Sequence, residues 1–238
     1  MQDSELADVV ERLSTEPEED YTLQRVVDQA VVNIPGCDMC SIFVQQRGTV
    51  DVGAQTDLLA ARIDGLQLEF DEGPCLSELR HHEIVSVPRT ETEARWPRWS
   101  RAVWSEGVRS TLSVRLATSE PYRACLNMYS REVEAFDEDA IDRAIIYSRL
   151  AAVALLKARE ISGLRSALHN RLVIGVAQGI LMERYGLSLN RSFEVLRRRS
   201  NETNTKLRDV AQEIVDGFPS STPDAVRSSA RGKKPTPS

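Results

Sequence analysis

Apolar and polar positions alternate along this chain in patterns that set out its elements one after another. After a helical segment over 4–13, Leu23, Val26, Val27, Ala30 and Val31 recur at helical spacing within 22–33. Pro35-Gly36 ends that pattern. The β-branched and apolar run Ser41-Ile42-Phe43-Val44 then marks a strand over 39–46. Arg47-Gly48 is a turn signal and Val50 to Ala54 returns as a second strand, so the pair predicts a hairpin. Residues 57–64 read as a short helix and Leu66 to Phe70 as a strand or extended segment, ended by the turn Asp71-Glu72-Gly73-Pro74. A helical turn from Cys75 to Arg80 and a strand over Ile84-Val85-Ser86-Val87 follow. Then come a helix over 96–106 that starts after Pro97 and ends at Gly107, and strands over 110–116 and 124–130.

From Asp137, which stands at an N-cap position, no proline interrupts a helical pattern to about residue 168, and Gly163 is its one glycine. Ala151, Ala154 and Ala158, then Ile161, Leu164, Leu168 and Leu172, recur at +3 and +4 and form an apolar seam. Its first half is expected to pack on the preceding domain. Its second half extends past that domain and needs a partner, for which another copy of the same helix is the simplest choice. The expectation is a homodimer through the 138–168 helix. Residues 170–216 read as three short helices, over 170–184, 191–200 and 204–215, the last ended by Gly217. Ile174, Ala177, Leu181, Phe193, Leu196, Leu207, Val210 and Ala211 are spaced as the core of that bundle, with Met182 in it or at its rim. Residues 218–238 combine Pro and Ser with almost no large apolar side chains, the composition of a disordered tail.

Composition adds bounds. The chain has 238 residues, of which 41% are hydrophobic and 28% charged, ordinary values for a soluble globular protein. The start Met1-Gln2-Asp3-Ser4-Glu5 lacks the basic and apolar regions of a secretory signal. No apolar stretch reaches the roughly 18 residues of a membrane span, so a cytoplasmic location with no membrane partner is expected. Cys37, Cys40, Cys75 and Cys125 are then expected to be reduced. The net charge of −6 is unevenly spread: residues 1–168 carry 18 basic and 29 acidic side chains, and residues 169–216 carry 8 and 6. An acidic body joined to a mildly basic end suits a chain of which only the end meets a polyanion.

The segment Gln178-Gly179-Ile180-Leu181-Met182-Glu183-Arg184-Tyr185-Gly186-Leu187 resembles the ANTAR family. The likeness continues through Phe193, Leu196-Arg197-Arg198, Ser200 and Asn204-Thr205-Lys206-Leu207-Arg208-Asp209-Val210-Ala211. ANTAR domains are three-helix modules, and the resemblance implies binding of RNA stem-loops and readthrough of transcription terminators. The first 160 residues resemble the GAF domains that precede ANTAR in actinobacterial regulators. That likeness rests on Gly73-Pro74-Cys75-Leu76, Arg95-Trp96-Pro97-Arg98-Trp99, Gly107-Val108-Arg109-Ser110 with Leu112-Ser113, and Leu126-Asn127-Met128-Tyr129-Ser130. It implies an antiparallel sheet flanked by helices and a place for a small ligand. Tyr122-Arg123-Ala124-Cys125 departs from relatives that often carry Gly there, and larger side chains narrow such a pocket or leave none. The expected fold class is therefore α+β: a GAF sensory domain over 1–150, the connecting helix over 138–168, an all-α ANTAR domain over 169–217 and the tail 218–238.

RNA recognition needs charge for phosphates and flat or polar groups for unpaired bases. Arg197, Arg198 and Arg199 are consecutive and fan over about 200° of a helix, so at most two face one ligand. Arg197 and Arg198 are assigned to RNA, with Gln178 and Arg184 on the first helix of the bundle. Asn204, Thr205, Lys206 and Arg208 fall at the predicted start of the third helix, where backbone N–H groups favour phosphate. Ser200 and Asn204 are RNA contacts or helix caps, and Tyr185 stacks on a base or covers the core. In the sensory domain Cys75, Trp96 and Trp99 are the candidates for contact with a small molecule. Cys37-Asp38-Met39-Cys40 with Cys75, His81 and His82 offers a metal or redox site, but small core residues are the better reading of these cysteines. The sequence names no cofactor. It shows no phosphate-binding glycine loop and no nucleophile–His–acid set, so no enzyme is expected. DNA-binding transcription control and a ligand- or redox-sensing interaction protein stay open as alternatives, and the ANTAR spacing favours RNA.

Overall fold

The computed structural model describes residues 3–14, 18–46, 48–76, 84–116 and 122–218. It divides into two compact units, Met1–Gly163 and Leu164–Ser238.

The first unit holds α1 (Asp3–Ser14), α2 (Glu19–Asn33), β1 (Met39–Gln46), β2 (Thr49–Gln55), α3 (Leu58–Phe70), β3 (Val85–Val87), α4 (Pro97–Ser105), β4 (Ser110–Leu116) and β5 (Tyr122–Ser130). The strands form one sheet in the order β2-β1-β5-β4-β3, antiparallel at every junction. Successive side chains of a strand point to opposite faces, and both faces are covered. Ile42, Leu112, Val114, Leu116, Leu126 and Met128 pack with α1, α2 and the first turns of α5 (Glu138–Tyr185). Alanines 140, 144 and 151 let α5 lie close, and the Tyr147 hydroxyl donates to the Val26 carbonyl at 2.6 Å. The opposite face carries Met39, Val85, Val87 and Tyr129 against Ala60 and Ile63 of α3 and Trp99 and Val103 of α4.

Residues 57–70 depart from the expected short helix and extended segment: α3 is a single helix. Asp57 caps it, accepting the Ala60 N–H at 2.9 Å. Ala60, Ile63, Asp64 and Gln67 are its buried positions, the i, i+3, i+4, i+7 face of a helix. Two polar residues on that face hid the period.

The second unit is a small bundle. The part of α5 beyond Leu164 packs with α6 (Leu189–Thr203) and α7 (Leu207–Asp216) around Val173, Ala177, Leu181, Leu196, Val210 and Ala211. Three expectations are corrected here. The helices expected over 138–168 and 170–184 are one helix, because no proline or cap separates them. The third helix begins at Leu207, since Asn204 adopts the left-handed conformation (φ 50°) that ends α6. Phe193 is not core but 39% exposed: the buried positions of α6 are Ser192 and Leu196, and Phe193 is turned away from them. Among the described residues no helix is long and apolar enough to cross a membrane. The expected tail beyond Phe218, the last four residues of the 75–80 turn, and His81 and His82 lie outside the described residues.

Candidate functional site

In the second unit, Ser188 fixes the start of α6 by accepting the Arg191 N–H, and burial of Ser192 and Leu196 fixes its rotation. The opposite side then carries Asn190, Phe193, Arg197 and Asn201, at steps of +3, +4 and +4, all exposed. This stripe combines two amides, a ring and a guanidinium. Gln178 of α5 lies beside it, and its Nε2 donates to the Leu189 carbonyl at 3.0 Å and to Ser192 Oγ at 3.4 Å. Gln178, Leu189, Asn190, Phe193 and Arg197 line one shallow pocket of about 380 Å³. Arg198 flanks the stripe in a 3.7 Å pair with Glu202, both well exposed, and Arg191 meets Glu194 at 3.6 Å. Such pairs hold little energy and yield to a stronger anion.

At the C-terminal end of α6 the chain makes a tight turn. Ser200 Oγ donates to the Thr205 carbonyl at 2.6 Å, and the Thr205 N–H returns to the Ser200 carbonyl at 3.1 Å. Ser200 is thus committed to the turn. That turn presents exposed Asn204 and Lys206, and Lys206 is the N-cap of α7. Arg208 and Arg184 fall elsewhere. Arg208, paired with Asp209 at 3.1 Å, lines a cleft of about 510 Å³ with Arg165, His169 and Asn170. Arg184 lines a separate groove with Tyr185, Arg199 and Ile214, where Arg199 holds Glu213 at 3.2 Å. The sequence-predicted RNA residues therefore form a group around α6 and its C-terminal turn, with Arg208 and Arg184 on other walls. Asn190, Phe193 and Asn201 were missed, although their +3/+4 spacing was there to be read.

In the first unit the notable feature is a buried polar layer between the sheet and α3. Ser41, Ser113 and Asn127 stand side by side on β1, β4 and β5, since Ser41 and Ser113 both register with Asn127. Asp64 of α3 faces them, fully buried. Its Oδ1 accepts from the Tyr129 hydroxyl, from Asn127 Nδ2 at 3.2 Å and from Gln67 Nε2 at 3.5 Å. Asn127 Oδ1 in turn accepts from Ser113 Oγ at 2.9 Å. Burial pushes the Asp64 carboxyl up to about 7, against the opposing pull of the nearby Ser41 hydroxyl and the three donors. Asp64 and Gln67 were not among the expected site residues.

Cys75, Trp96 and Trp99 border this layer differently from one another. Cys75 is buried against Phe43 and Cys125, and its N–H donates to Gln67 Oε1 at 3.0 Å. Gly73 permits that latch: its φ is +142°, and a Cβ there would stand on the Gln67 side chain. Trp99 is buried on the same side as Tyr129, whereas Trp96 is half-buried and meets Trp99 edge-on at 6.1 Å. Glu72 holds the start of α4, accepting the Arg98 and Trp99 N–H groups at 2.8 and 3.1 Å. All four cysteines are free and buried. Burial first, then the neighbouring thiols Cys125 and Cys37, raise Cys75 and Cys40 well above the ordinary thiol range. Thiols so raised are poor nucleophiles.

A GAF domain family model matches residues 16–156, more than half of the chain. The chain belongs to the GAF family. An ANTAR domain model matches residues 162–215, so the protein is a GAF and ANTAR domain-containing regulator, with the polar layer in its GAF domain and the α6 stripe in its ANTAR domain. No curated protein matches. Among solved structures, the chain is similar to the GAF domain of a phosphoenolpyruvate-protein phosphotransferase from Coxiella burnetii. That match has 18% identity and a TM-score of 0.54, covering 66% of this chain and 94% of that one. The corresponding Acinetobacter domain shares 16% identity with a TM-score of 0.51, covering 68% and 99%. A free methionine-R-sulfoxide reductase from Neisseria meningitidis, in complex with its substrate, shares 12% identity with a TM-score of 0.50, covering 65% and 88%. These likenesses establish the GAF fold of the first unit.

Proposed function

We propose that the protein is a cytoplasmic, non-enzymatic transcription antitermination regulator, whose ANTAR domain binds RNA stem-loops under control of the GAF domain. The observation that carries this reading is the exposed α6 stripe. An unburied phenylalanine between an arginine and two asparagines supplies a stacking platform, a phosphate partner and polar edges for unpaired bases. Asn204, Thr205 and Lys206 extend the surface at the end of α6. A flat base stacks on Phe193 while Arg197 holds the adjacent phosphate.

Two copies act together in this reading. Leu164, Leu168, Leu172 and Val176 recur every fourth residue on α5 and are 60%, 65%, 65% and 43% exposed. The apolar face over 140–155 is already used within the GAF domain, so the open part of the seam lies at 164–176. A dimer through it presents two ANTAR domains to two linked hairpins, and effective concentration raises the affinity. A signal in the GAF domain shifts that dimer between states.

The test is filter binding of the purified protein to a two-hairpin RNA and to duplex DNA of equal length at several salt concentrations. RNA is expected to be preferred, and Arg197→Ala to lower the salt slope by about one. Preference for DNA, or binding to neither, would sink the reading.

A further inference from the structure

The cleft between α5 and α7 of the ANTAR domain takes no part in the α6 stripe. It encloses about 510 Å³. Arg165, Ser166, His169 and Asn170 line it from α5, and Arg208 and Asp209 from α7. The four α5 residues form two i, i+4 pairs and so share one side of that helix. Val173 is the floor, and it belongs to the same core cluster as Val210 and Ala211 of α7. Packing of the bundle core therefore fixes one wall of the cleft against the other.

The walls are rich in donors that nothing uses. Among the described residues, the side chains of Ser166, His169 and Asn170 make no hydrogen bond or ion pair. Arg208 holds Asp209 at 3.1 Å, but both side chains are about half exposed, so that pair yields to a stronger anion. Gln212, also on the α7 wall, gives its amide N–H to Asp216 at 2.6 Å. Asp209 is the one acidic residue among those that line the cleft, against two guanidiniums and an imidazole. Guanidiniums and N–H groups converging from two walls suit the oxygens of a phosphate. None of the lining residues is aromatic, and Val173 is the one apolar residue among them, so a base finds nothing there to stack on. The cleft therefore fits a phosphate carried on a chain better than a small nucleotide, whose base needs an apolar wall. Arg165 and His169 each follow a seam residue, Leu164 and Leu168, by one position, a turn of about 100°. A second copy seated on the seam borders the cleft without filling it.

We propose that this cleft is a second RNA contact, which holds backbone phosphates and is blind to sequence. Arg165 and Arg208 take phosphate oxygens from facing walls, and Ser166, His169 and Asn170 donate between them. Phosphate contacts fix the register and orientation of a nucleic acid, whereas base contacts specify it. The ANTAR domain divides these tasks between two surfaces: Phe193 and its neighbours on α6 meet the unpaired bases, and the α5–α7 cleft holds the strand beyond them. The inference rests on the reading of the ANTAR domain as RNA-binding.

The experiment titrates the full-length protein with the two-hairpin RNA over a series of salt concentrations, using two RNAs that differ only in their loop bases. Wild type, Arg165→Ala, His169→Ala and Asp209→Asn are compared, with Arg197→Ala as the reference for the stripe. All four positions are exposed, so melting temperatures should stay within about two degrees of wild type. Arg165→Ala is expected to weaken both RNAs by the same factor, about fivefold near physiological salt, and to lower the salt slope by about one. His169→Ala weakens both RNAs alike. Asp209→Asn removes the one acidic group of the cleft and strengthens both severalfold, which loss of structure would not do. Unchanged affinity and slope in Arg165→Ala and His169→Ala, with Arg197→Ala still weakened, overturns the cleft and leaves the antiterminator reading standing. A loss that depends on the loop bases makes the cleft a base-reading surface and overturns its blindness to sequence. Inorganic phosphate at millimolar concentration, added to the protein alone in a thermal-shift assay, tests the other source of the same chemistry. Stabilisation that Arg165→Ala abolishes, with RNA binding untouched by that variant, assigns the cleft to free phosphate and overturns the RNA contact. Failure of wild type to bind either RNA sinks the antiterminator reading and the proposal with it.

Discussion

The two units use polar residues in opposite ways. The GAF domain buries them: Ser41, Asp64, Gln67, Ser113 and Asn127 are all sealed between sheet and helix. The ANTAR domain puts them outside and, with them, apolar groups that a small bundle has no room to bury, such as Phe193 and the Leu164–Leu172 stripe. In the first unit the anomaly is a buried atom without a partner. In the second it is an exposed ring without a cover. Each is costly for a domain standing alone.

That contrast is open to test, and the largest effect is expected from the buried carboxyl. Asp64 keeps its proton up to about pH 7 in the folded GAF domain, whereas an ordinary aspartate releases it near 3.8. Between these values the folded state holds a proton that the unfolded chain has lost. Stability is therefore highest, as far as this group goes, below that window and falls as pH rises through it, by about 4 kcal/mol in all. Urea titrations of wild type and Asp64→Asn across pH 4 to 8 should show that fall in wild type alone; parallel curves would mean the carboxyl is not buried as described.

Leu196→Ala comes next. It empties a fully buried position of the ANTAR bundle and should cost about 3 kcal/mol, with RNA binding lost as the unit melts. Asn127→Ala should destabilise the GAF domain by about 2 kcal/mol, read by denaturation, because it leaves Asp64 and Ser113 each short of a partner. The smallest change in stability, within about 0.5 kcal/mol, is expected from Phe193→Ala. Its RNA affinity should nevertheless drop about tenfold. A variant that loses stability but keeps RNA would return Phe193 to the core and erase the contrast between the units.

Much of this was legible in the sequence. The hairpin, the strands over 110–116 and 124–130 and the helix after Pro97 all follow from local signals that tertiary structure leaves alone. Periodicity failed where a polar residue sits on a buried face. Asp64 and Gln67 occupy core positions of α3, so their period looked like a break, and the polar layer stayed invisible. Phe193 is the converse, an aromatic residue that reads as core from its type while its neighbours Ser192 and Leu196 take the buried positions. Gln178, Arg197 and Arg198 were placed by the resemblance and meet around α6. Arg208 and Arg184 were grouped with them by proximity along the chain, which a helix turning 100° per residue does not preserve.

Gly73 and Gln67 share one volume: the amide of residue 67 stands where a side chain on residue 73 would begin. The two positions behave as a single site divided between a helix and a turn, so neither drifts alone. In a library randomised at both, survivors should keep glycine at 73 wherever 67 is long. Other residues should enter at 73 only where 67 has shortened to alanine or serine, and then without the bond that fastens Cys75 to α3. Paired sequencing of such a pool would show the dependence as co-selection across an interval in which neither residue is a chain neighbour of the other.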